Sequence, residues 1–435
     1  MIVEIGLVFL GVIFLMVIRL PVAMSFAAGA IVLLAISGTN PVWATTQSLH
    51  LKCAYVLLAM PLYILLGAVV DVSGMANRLC AFATSVVGWL RGGLGAAIIM
   101  ANAVFGAMSG SALAALAGIG KAFLPAMEQA GYPKSYAIAL MIPSSVLSCL
   151  IPPSAFMIIF GFMGFLSITK CFLASAIPGL ILMSFLFVTH LVICPRIPTA
   201  FIQPKVSFGA YLKGIAKSGF HNALTLAIPV VVLGIIYGGF GTPTESAALG
   251  VLYTLIISFF IYRTITIGVA FNATVNAARL VGSVAMILFF FFVLSRVLIV
   301  EQVSEALLTW MMSVTSNKWA LMGMLNILML FMGMFMDDTS NCVIAAIIFL
   351  PIAVSLGFNP FHFATIACVN IEFGMITPPV APLLYLGGHI AGDMPIGQYF
   401  KPVLLFLVFA FLPTLLLTMF IPDLSTFLPL LFTRG

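Results

Sequence analysis

The chain has 435 residues, of which 63% are hydrophobic and 6% are charged, whereas soluble domains carry about 25% charged residues. So few charges cannot give a globule a wettable surface, which excludes an ordinary soluble protein. The net charge of +6 does not indicate nucleic acid as a partner, because the Lys and Arg residues mostly flank hydrophobic runs. In that position they orient helices in a lipid bilayer.

Apolar runs of about 20 residues recur along the chain, and each is long enough to cross a bilayer as a helix. These runs cover 2–18, 21–37, 53–71, 135–165, 171–194, 222–240, 246–262, 276–300, 361–391 and 402–421. The first run has no basic residue before it and Arg19 after it, the reverse of a secretory signal, so we interpret it as a retained helix. The predicted fold is therefore an all-α, polytopic membrane protein.

One long polar break, at 195–221, separates a first half (1–194) from a second half (222–435). The break contains basic residues and no acidic residue up to Phe220, namely Arg196, Lys205, Lys213 and Lys217. The excess of positive charge predicts that this linker faces the cytoplasm. An odd number of crossings in each half then places both termini on the opposite side and makes the two halves inverted.

The two halves are related by a shift of 226 residues. Eight of 39 aligned pairs between 123–161 and 349–387 are identical without a gap. The identical positions that depend least on membrane composition are Pro125 with Pro351, Gly131 with Gly357, Pro152–Pro153 with Pro378–Pro379, and Gly161 with Gly387. Inverted repeats with interrupted helices are typical of secondary transporters.

Each half contains an apolar run that is too long for one crossing and is interrupted by a polar stretch. These runs are 93–126 and 319–353, and we predict that each forms a re-entrant hairpin of two short helices. The polar tips are Phe105–Ser111 and Met336–Asn341, and the 226-residue shift aligns Ser111 with Asp337. Backbone at such a tip must be satisfied by protein, water or ligand, because lipid offers no hydrogen bonds.

The segments 135–165 and 361–391 are each broken at a Pro-Pro pair. Two successive prolines remove two backbone donors and force the preceding residue out of helical geometry. The breaks are therefore either simple kinks satisfied by nearby Ser and Thr or places where free carbonyl groups hold a ligand. Two breaks at matched positions favour the second interpretation.

Three acids are expected at membrane depth: Asp337, Asp338 and Glu372. Acids in that position are costly and usually functional. Asp337 or Asp338 could alternatively cap the second hairpin helix, and Glu372 could titrate a proton or pair with a distant Arg. By contrast, Glu245 stands three residues after Thr242 in a capping-box pattern, which predicts a structural role.

No enzyme is predicted. The five histidines form no HExxH motif, Ser109 lies in no GxSxG elbow, and Lys121 lacks the Walker spacing. The seven cysteines are scattered singly, so neither a disulfide framework nor a metal site is indicated. No cofactor and no metal beyond a coupling Na⁺ is expected.

At these motifs the sequence resembles the large membrane subunit of the tripartite ATP-independent periplasmic (TRAP) transporters, along essentially its whole length. The motifs that carry the resemblance are Gly106–Ser111, Ile142–Ser145 followed by Ile151–Ser154, Thr242–Glu245 and Ile376–Val380. Two features depart from the family pattern. Asp338 follows Asp337 where the family usually has proline after a single acid, and Glu372 stands where a neutral residue is expected.

The resemblance implies an elevator-type importer in the bacterial inner membrane with periplasmic termini. A Na⁺ gradient would drive uptake of an organic acid, such as a dicarboxylate, keto acid, sugar acid or sialic acid. Each half would contribute scaffold helices, an arm, a hairpin and a broken helix, and the hairpins would belong to a mobile transport part. A separate small four-helix membrane subunit and a periplasmic solute-binding protein are the implied partners.

The polar tips, the breaks and the resemblance together predict the site residues. The predicted Na⁺ ligands are Ser109, Gly110, Ser111, Ser145, Ser148, Gly333, Asp337, Asp338, Thr339, Gly374 and Thr377. The predicted substrate contacts are Ser111, Ser154, Asp337 and Asn341. Two other functions share these features: a sodium symporter of the divalent-anion type that needs no binding protein, and a channel, because re-entrant polar segments also build selectivity filters.

Overall fold

The computed structural model describes residues 2–18, 20–52, 55–196 and 208–432. Every regular element within these ranges is a helix, as predicted. Arg19, Cys53, Lys205 and the central part of the predicted linker, 197–207, lie outside the described residues. The membrane orientation inferred from Arg19 and Lys205 therefore stays a prediction.

The described part of the first half consists of a succession of α-helices. Their bounds are α1 Ile2–Val17, α2 Val22–Ser37, α3 Pro41–Lys52, α4 Ala59–Val72, α5 Met75–Val87, α6 Gly93–Ser109, α7 Ala112–Gln129, α8 Lys134–Ser145, α9 Leu147–Leu150, α10 Ala155–Met163 and α11 Ile168–Ile193. Short 3₁₀ turns lie at Tyr55–Leu58 and Cys194–Arg196.

The second half follows the same plan. Its helices are α12 Phe208–His221, α13 Ala223–Tyr237, α14 Pro243–Ile256, α15 Ile267–Val300, α16 Val303–Val314, α17 Lys318–Gly333, α18 Asp338–Ile344, α19 Leu350–Ser355, α20 Pro360–Met375, α21 Pro382–Ile390, α22 Ile396–Phe406, α23 Leu412–Phe420 and α24 Asp423–Leu431. One-turn π-helical segments follow α14, α18 and α22 and keep those helices continuous.

Helices of membrane-spanning length are present in both halves. Five described helices are long and apolar enough to cross a membrane, and the number rises to eight if each of three sharply bent pairs is one span. The other apolar helices have 10–17 residues. Large apolar side chains on these helices, such as Leu7, Phe14, Ile31 and Val230, are exposed, as expected for a surface that faces lipid.

Elements occupy matched positions in the two halves. When the chain is shifted by 226 residues, α4 aligns with the end of α15 and α5 aligns with α16. The helices α8 to α10 align with α20 and α21. The pair α4 and α5 bends by 75°. The long helix α15 packs against α2 and α4, where the ring of Phe26 meets that of Phe291 edge-on with centroids 5.3 Å apart.

The end of the predicted linker is more regular than its polar composition suggests. Residues 208–221 form helix α12, which packs on α5 and bends by 68° from α13. Tyr211 anchors it, since its hydroxyl donates to the carbonyl of Val86 and its ring meets that of Trp89 edge-on. The apolar face of this helix was hidden in the sequence by Lys213 and Lys217, and both lysines are exposed.

The predicted capping box at the start of α14 is confirmed. The backbone N–H of Thr242 donates to Glu245 Oε2 at 2.7 Å, and the N–H of Glu245 donates to Thr242 Oγ1 at 3.3 Å. Thr242→Ala should lower the free energy of unfolding by about 0.5–2 kcal/mol, measured as a lower melting temperature in detergent. Thr242→Ser keeps the hydroxyl and should melt like the wild type; equal melting of all three proteins would contradict a stabilising cap.

Candidate functional site

The first polar tip is a tight break between α6 and α7. Gly110 ends α6 in the left-handed conformation, with φ +64°, and its N–H donates to the carbonyl of Gly106. Ser111 is extended and caps α7, with its Oγ 3.5 Å from the N–H of Ala114. Phe105 then lies beside Gly118, so the chain folds back on itself. The predicted hairpin 93–126 is present as Gly93–Gln129.

Ser109 is the last residue of α6, with its Cβ facing Gly67 of α4, and its hydroxyl is unused. It is buried, and its Oγ has no hydrogen-bond partner among the described residues. A buried hydroxyl without a partner is costly. It therefore marks a place where a ligand atom would be favourable, which is what the prediction for Ser109 requires.

The second tip has the same form but carries acids. Helix α17 ends at Gly333, and Asp337 caps α18, accepting from the N–H of Ser340 at 3.3 Å and from its hydroxyl at 2.6 Å. Asp337 and Ser111 thus hold the same capping position in the two halves. The capping role considered for Asp337 is present, and it occupies only part of the capacity of a carboxylate, which can accept about four hydrogen bonds.

Asn341 lies just inside the second tip. Its amide nitrogen donates to the carbonyls of Met336 and Asp337, at 3.2 and 3.0 Å, and holds the tip together. Its Oδ1 is buried and has no partner in the described chain. Asn341 therefore offers a free oxygen in the second tip, much as Ser109 does in the first.

The Pro-Pro breaks are also matched. Pro152–Pro153 and Pro378–Pro379 both contain a cis peptide bond. In the first half the break bends the helix by 44° between Lys134–Leu150 and Ala155–Met163. Ser154 caps α10, accepting from the N–H of Met157 at 3.2 Å. In the second half the residue that precedes α21 is Ala381, which adopts φ +37°.

Each break is hydrogen-bonded to the hairpin of its own half. The N–H of Ala155 donates to the carbonyl of Gly110 at 3.1 Å. Its counterpart Ala381 donates to the carbonyl of Met334 at 3.2 Å, and so does Val380, at 3.1 Å. Backbone N–H groups of both breaks are thus satisfied by protein, as they would have to be at membrane depth. The hairpin and the broken helix of each half form one unit.

Within each half, the hairpin and the broken helix also cross at close range, with no side chain between their backbones. A Cβ on Gly106 would lie 2.4 Å from Ser148 Cα, and a Cβ on Gly374 would lie 2.6 Å from Gly333 Cα. Ser148 and Gly374 correspond under the 226-residue shift. Predicted residues Ser148, Gly333 and Gly374 therefore lie together with the tips, and glycine is needed there for contact between backbones.

Buried asparagines join the same elements one turn away, and they were not among the predicted site residues. Asn102 donates to Ser144 Oγ at 3.0 Å, and Asn370 donates to Asn326 Oδ1 at 2.6 Å. Ser144 and Asn370 correspond under the shift. The usable signal was an Asn inside an apolar run, since buried polar side chains at membrane depth are retained only with partners or a function.

Asn370→Ala removes this bond and leaves Asn326 Oδ1 buried without that donor. An unsatisfied buried group costs about 1–3 kcal/mol, so we expect a clearly lower melting temperature of the purified protein. Asn276, on the exposed side of α15, provides the control, because Asn276→Ala should change little. Unaltered melting of Asn370→Ala would show that the bond contributes nothing to stability.

Other predicted residues have hydroxyl groups that donate within their own segment. Ser145 donates to Ile142 at 2.7 Å, and Thr377 donates to Phe373 at 2.8 Å, both to carbonyl oxygens. Thr339 donates through its N–H to Asp338 Oδ1 at 2.8 Å. These side chains retain oxygen lone pairs, but the structure gives no separate sign that they face a ligand.

The two halves interlock at this site. Helix α10 of the first half packs against α18 of the second, and the thiol of Cys342 donates to the carbonyl of Phe156 at 3.3 Å. Helix α20 contacts α9, and the thiol of Cys368 donates to the carbonyl of Cys149 at 3.5 Å. Helices next to the tips and breaks of both halves are therefore packed against one another.

Two helix hairpins joined to two Pro-Pro-broken helices, within an all-helical membrane chain, define a secondary membrane transporter. Comparison with known proteins names the family. Residues 9–424 match the description "Tripartite ATP-independent periplasmic transporter, DctM component", and the chain belongs to this family. The resemblance in the sequence motifs is thereby confirmed, and the family consists of transport permeases, not enzymes.

Individual relatives agree along nearly the whole chain. The C4-dicarboxylate TRAP transporter large permease protein DctM of Pseudomonas aeruginosa is 33% identical, with 86% of each chain covered. The sialic acid TRAP transporter large permease protein SiaM of Vibrio cholerae serotype O1 is 32% identical over 98% of this chain and 97% of its own. The crystal structure of the Alcanivorax borkumensis YdaH transporter shares the fold, with a TM-score of 0.61, 16% identity and 90% of each chain covered.

Proposed function

We propose that this chain drives the uptake of a small organic acid with a Na⁺ gradient, across the bacterial inner membrane. The observation that carries the proposal is the matched pair of polar tips, each capped at the same position and each holding a buried oxygen without a partner, on Ser109 and Asn341. Neutral oxygens and a carboxylate in a dry interior are suitable ligands for a small hard cation.

The candidate ligands divide between the two tips. In the first half they are Ser109, Gly110, Ser111, Ser145 and Ser148. In the second half they are Gly333, Asp337, Asp338, Thr339, Gly374 and Thr377. The oxygens of Asn102 and Asn370 that lack partners in the described chain adjoin the same crossings and support this division.

The substrate would be a carboxylate held between the tips, by Ser111, Ser154, Asp337 and Asn341. The N-termini of α7 and α10 meet at the first tip, where the N–H of Ala155 bonds to Gly110. Helix N-termini favour anionic groups. Relatives that carry C4-dicarboxylate and sialic acid in their names support a small organic acid as the class of substrate.

The transport system would be tripartite. A small four-helix membrane subunit would accompany this chain, and a periplasmic solute-binding protein would deliver the substrate to it. Both termini of this chain would then face the periplasm, and α12 with its basic face would lie at the cytoplasmic surface. Movement of the hairpins and broken helices as one body is supported by the backbone hydrogen bonds that join them.

The test is uptake of radiolabelled C4-dicarboxylate and sialic acid into liposomes that contain this chain and its small subunit, with the binding protein outside. We expect substrate to accumulate against its gradient only with an inward Na⁺ gradient and the binding protein present. Accumulation without the binding protein would favour a symporter of the divalent-anion type. Downhill flux that needs neither the gradient nor the binding protein would indicate a channel and refute the proposal.

A further inference from the structure

Cys149, Asp338 and Glu372 meet where the two halves interlock. They come from α9, α18 and α20, and one ligand atom from each lies within 4.8 Å of the others. A single ion between them would therefore touch all three side chains. The cysteines are scattered singly in the sequence, so nothing in the spacing of Cys149 predicted this cluster.

Glu372 is the residue that requires a ligand. Its side chain is 0% exposed, and neither carboxylate oxygen has a hydrogen-bond partner in the described chain. None of the basic side chains of the described chain forms an ion pair with it. A buried carboxylate without a partner is among the most costly arrangements in a protein, so a cation beside Glu372 would stabilise its charged form.

Asp338 differs from Glu372 in both partners and exposure. Its Oδ1 accepts from the N–H of Thr339 at 2.8 Å, and its side chain is only partly buried. Asp338 therefore has compensation from the backbone and marks the side from which an ion can enter. One monovalent cation would balance the charge of one of the two carboxylates, and the N–H of Thr339 stabilises that of Asp338.

This cluster has no equivalent in the first half. The 226-residue shift aligns Glu372 with Val146, Asp338 with Ala112 and Cys149 with Met375. The polar tips, by contrast, are present in both halves. The cluster is thus an addition to the duplicated tips and not one member of a matched pair.

We propose that Asp338 and Glu372, with the thiol of Cys149 alongside, form a binding site for one further Na⁺, in addition to those at the tips, and that the second tip contributes Asp338 to it. The proposal rests on Na⁺ as the coupling ion of the proposed function. It assigns Asp338 to this inner site and leaves Asp337 to the tip. It also gives Glu372 a role. No acid stands at the aligned position in the first half, and no hydrogen bond in the described chain accounts for this buried carboxylate.

The first test counts Na⁺ ions. Equilibrium binding of radiolabelled Na⁺ to the purified two-subunit membrane complex, without substrate, is compared between the wild type and Glu372→Gln. We expect the variant to bind one Na⁺ fewer per chain and to keep the remaining sites. Equal stoichiometry would overturn the inner site and leave Na⁺ coupling intact, whereas no Na⁺ binding by the wild type would overturn the proposed function as well.

The second test uses the thiol as a reporter and does not depend on a change at Glu372. Cd²⁺ is thiophilic, so at the inner site it should displace one Na⁺ from the wild type. Cys149→Ser should lose most of this sensitivity, by a factor of ten or more in Cd²⁺ concentration, because a serine hydroxyl is a much poorer ligand for Cd²⁺ than a thiol. Cys171→Ser, a buried cysteine outside the cluster, is the control and should behave like the wild type. Identical Cd²⁺ displacement in all three proteins would contradict the inner site.

Discussion

Asp337→Ala is expected to abolish Na⁺-driven uptake while the protein remains folded. The substitution removes the only acid at the capping position of either tip, where Asp337 also accepts two hydrogen bonds from Ser340. Loss of a charged ligand costs about 1.5–3 kcal/mol, a roughly 10–100-fold weaker affinity for Na⁺, so uptake should be lost at Na⁺ concentrations that just saturate the wild type. The initial rate of uptake as a function of Na⁺ concentration is the measurement.

Capping and ion binding by Asp337 can be separated. Loss of the N-cap alone would cost about 0.5–2 kcal/mol of stability, and Asn is as good a cap as Asp. Asp337→Asn should therefore melt like the wild type and still fail in uptake. Asp393→Asn, an exposed acid at the end of α21, should transport normally. If Asp337→Asn transports at the wild-type rate, Asp337 is only a cap.

The first tip should respond in the same way. Ser111→Ala removes the matching cap of α7, whose hydrogen bond at 3.5 Å is weak, so stability should change little. Uptake should nevertheless be lost. Ser355→Ala, an exposed serine at the end of α19, is the matched control. Normal uptake by both Ser111→Ala and Asp337→Ala would refute the assignment of the tips.

One methyl group added where the hairpin crosses the broken helix, in either half, should also have a large effect on stability and uptake. Gly106→Ala would place Cβ 2.4 Å from Ser148 Cα, and Gly374→Ala would place it 2.6 Å from Gly333 Cα. Backbone cannot rotate away as a side chain can, so the elements must separate. Overpacking typically costs about 1–3 kcal/mol, and we expect lower melting temperatures together with loss of uptake.

Gly282→Ala is the control for this effect. Gly282 lies inside α15, and a Cβ there would meet nothing within 4 Å. Alanine in an exposed helix is about 1 kcal/mol more favourable than glycine, so Gly282→Ala should raise the melting temperature slightly. The crossing variants and the control are thus predicted to change stability in opposite directions. Stabilisation by Gly106→Ala would show that the crossing is looser than described.

The sequence predicted the broken elements well, because the residues that break a helix act locally. Gly110 permits the left-handed turn, Ser111 and Asp337 cap the following helices, and each Pro-Pro pair removes two donors. The predicted segments 135–165 and 361–391 appear within a few residues of their bounds, as α8 to α10 and as α20 and α21. Local chemistry was enough for these features.

The crossings and the inner cluster could not be predicted, because they depend on which distant segments meet. Gly106 and Ser148 are separated by 42 residues, and nothing in either run marks the other as its partner. Cys149 and Glu372 come from different halves and lie together only because α9 packs on α20. A helix of mostly apolar residues can present any face inward in a membrane, so periodicity gives little guidance.

The most direct test of the account is a simultaneous measurement of Na⁺ and substrate entry into the same liposomes. The liposomes contain this chain and its small subunit, and the binding protein is loaded with radiolabelled C4-dicarboxylate or sialic acid. We predict that Na⁺ and substrate enter in a fixed ratio of more than one Na⁺ per substrate, with Na⁺ entry requiring substrate and binding protein. Substrate accumulation without accompanying Na⁺, or Na⁺ entry that ignores substrate, would contradict the account.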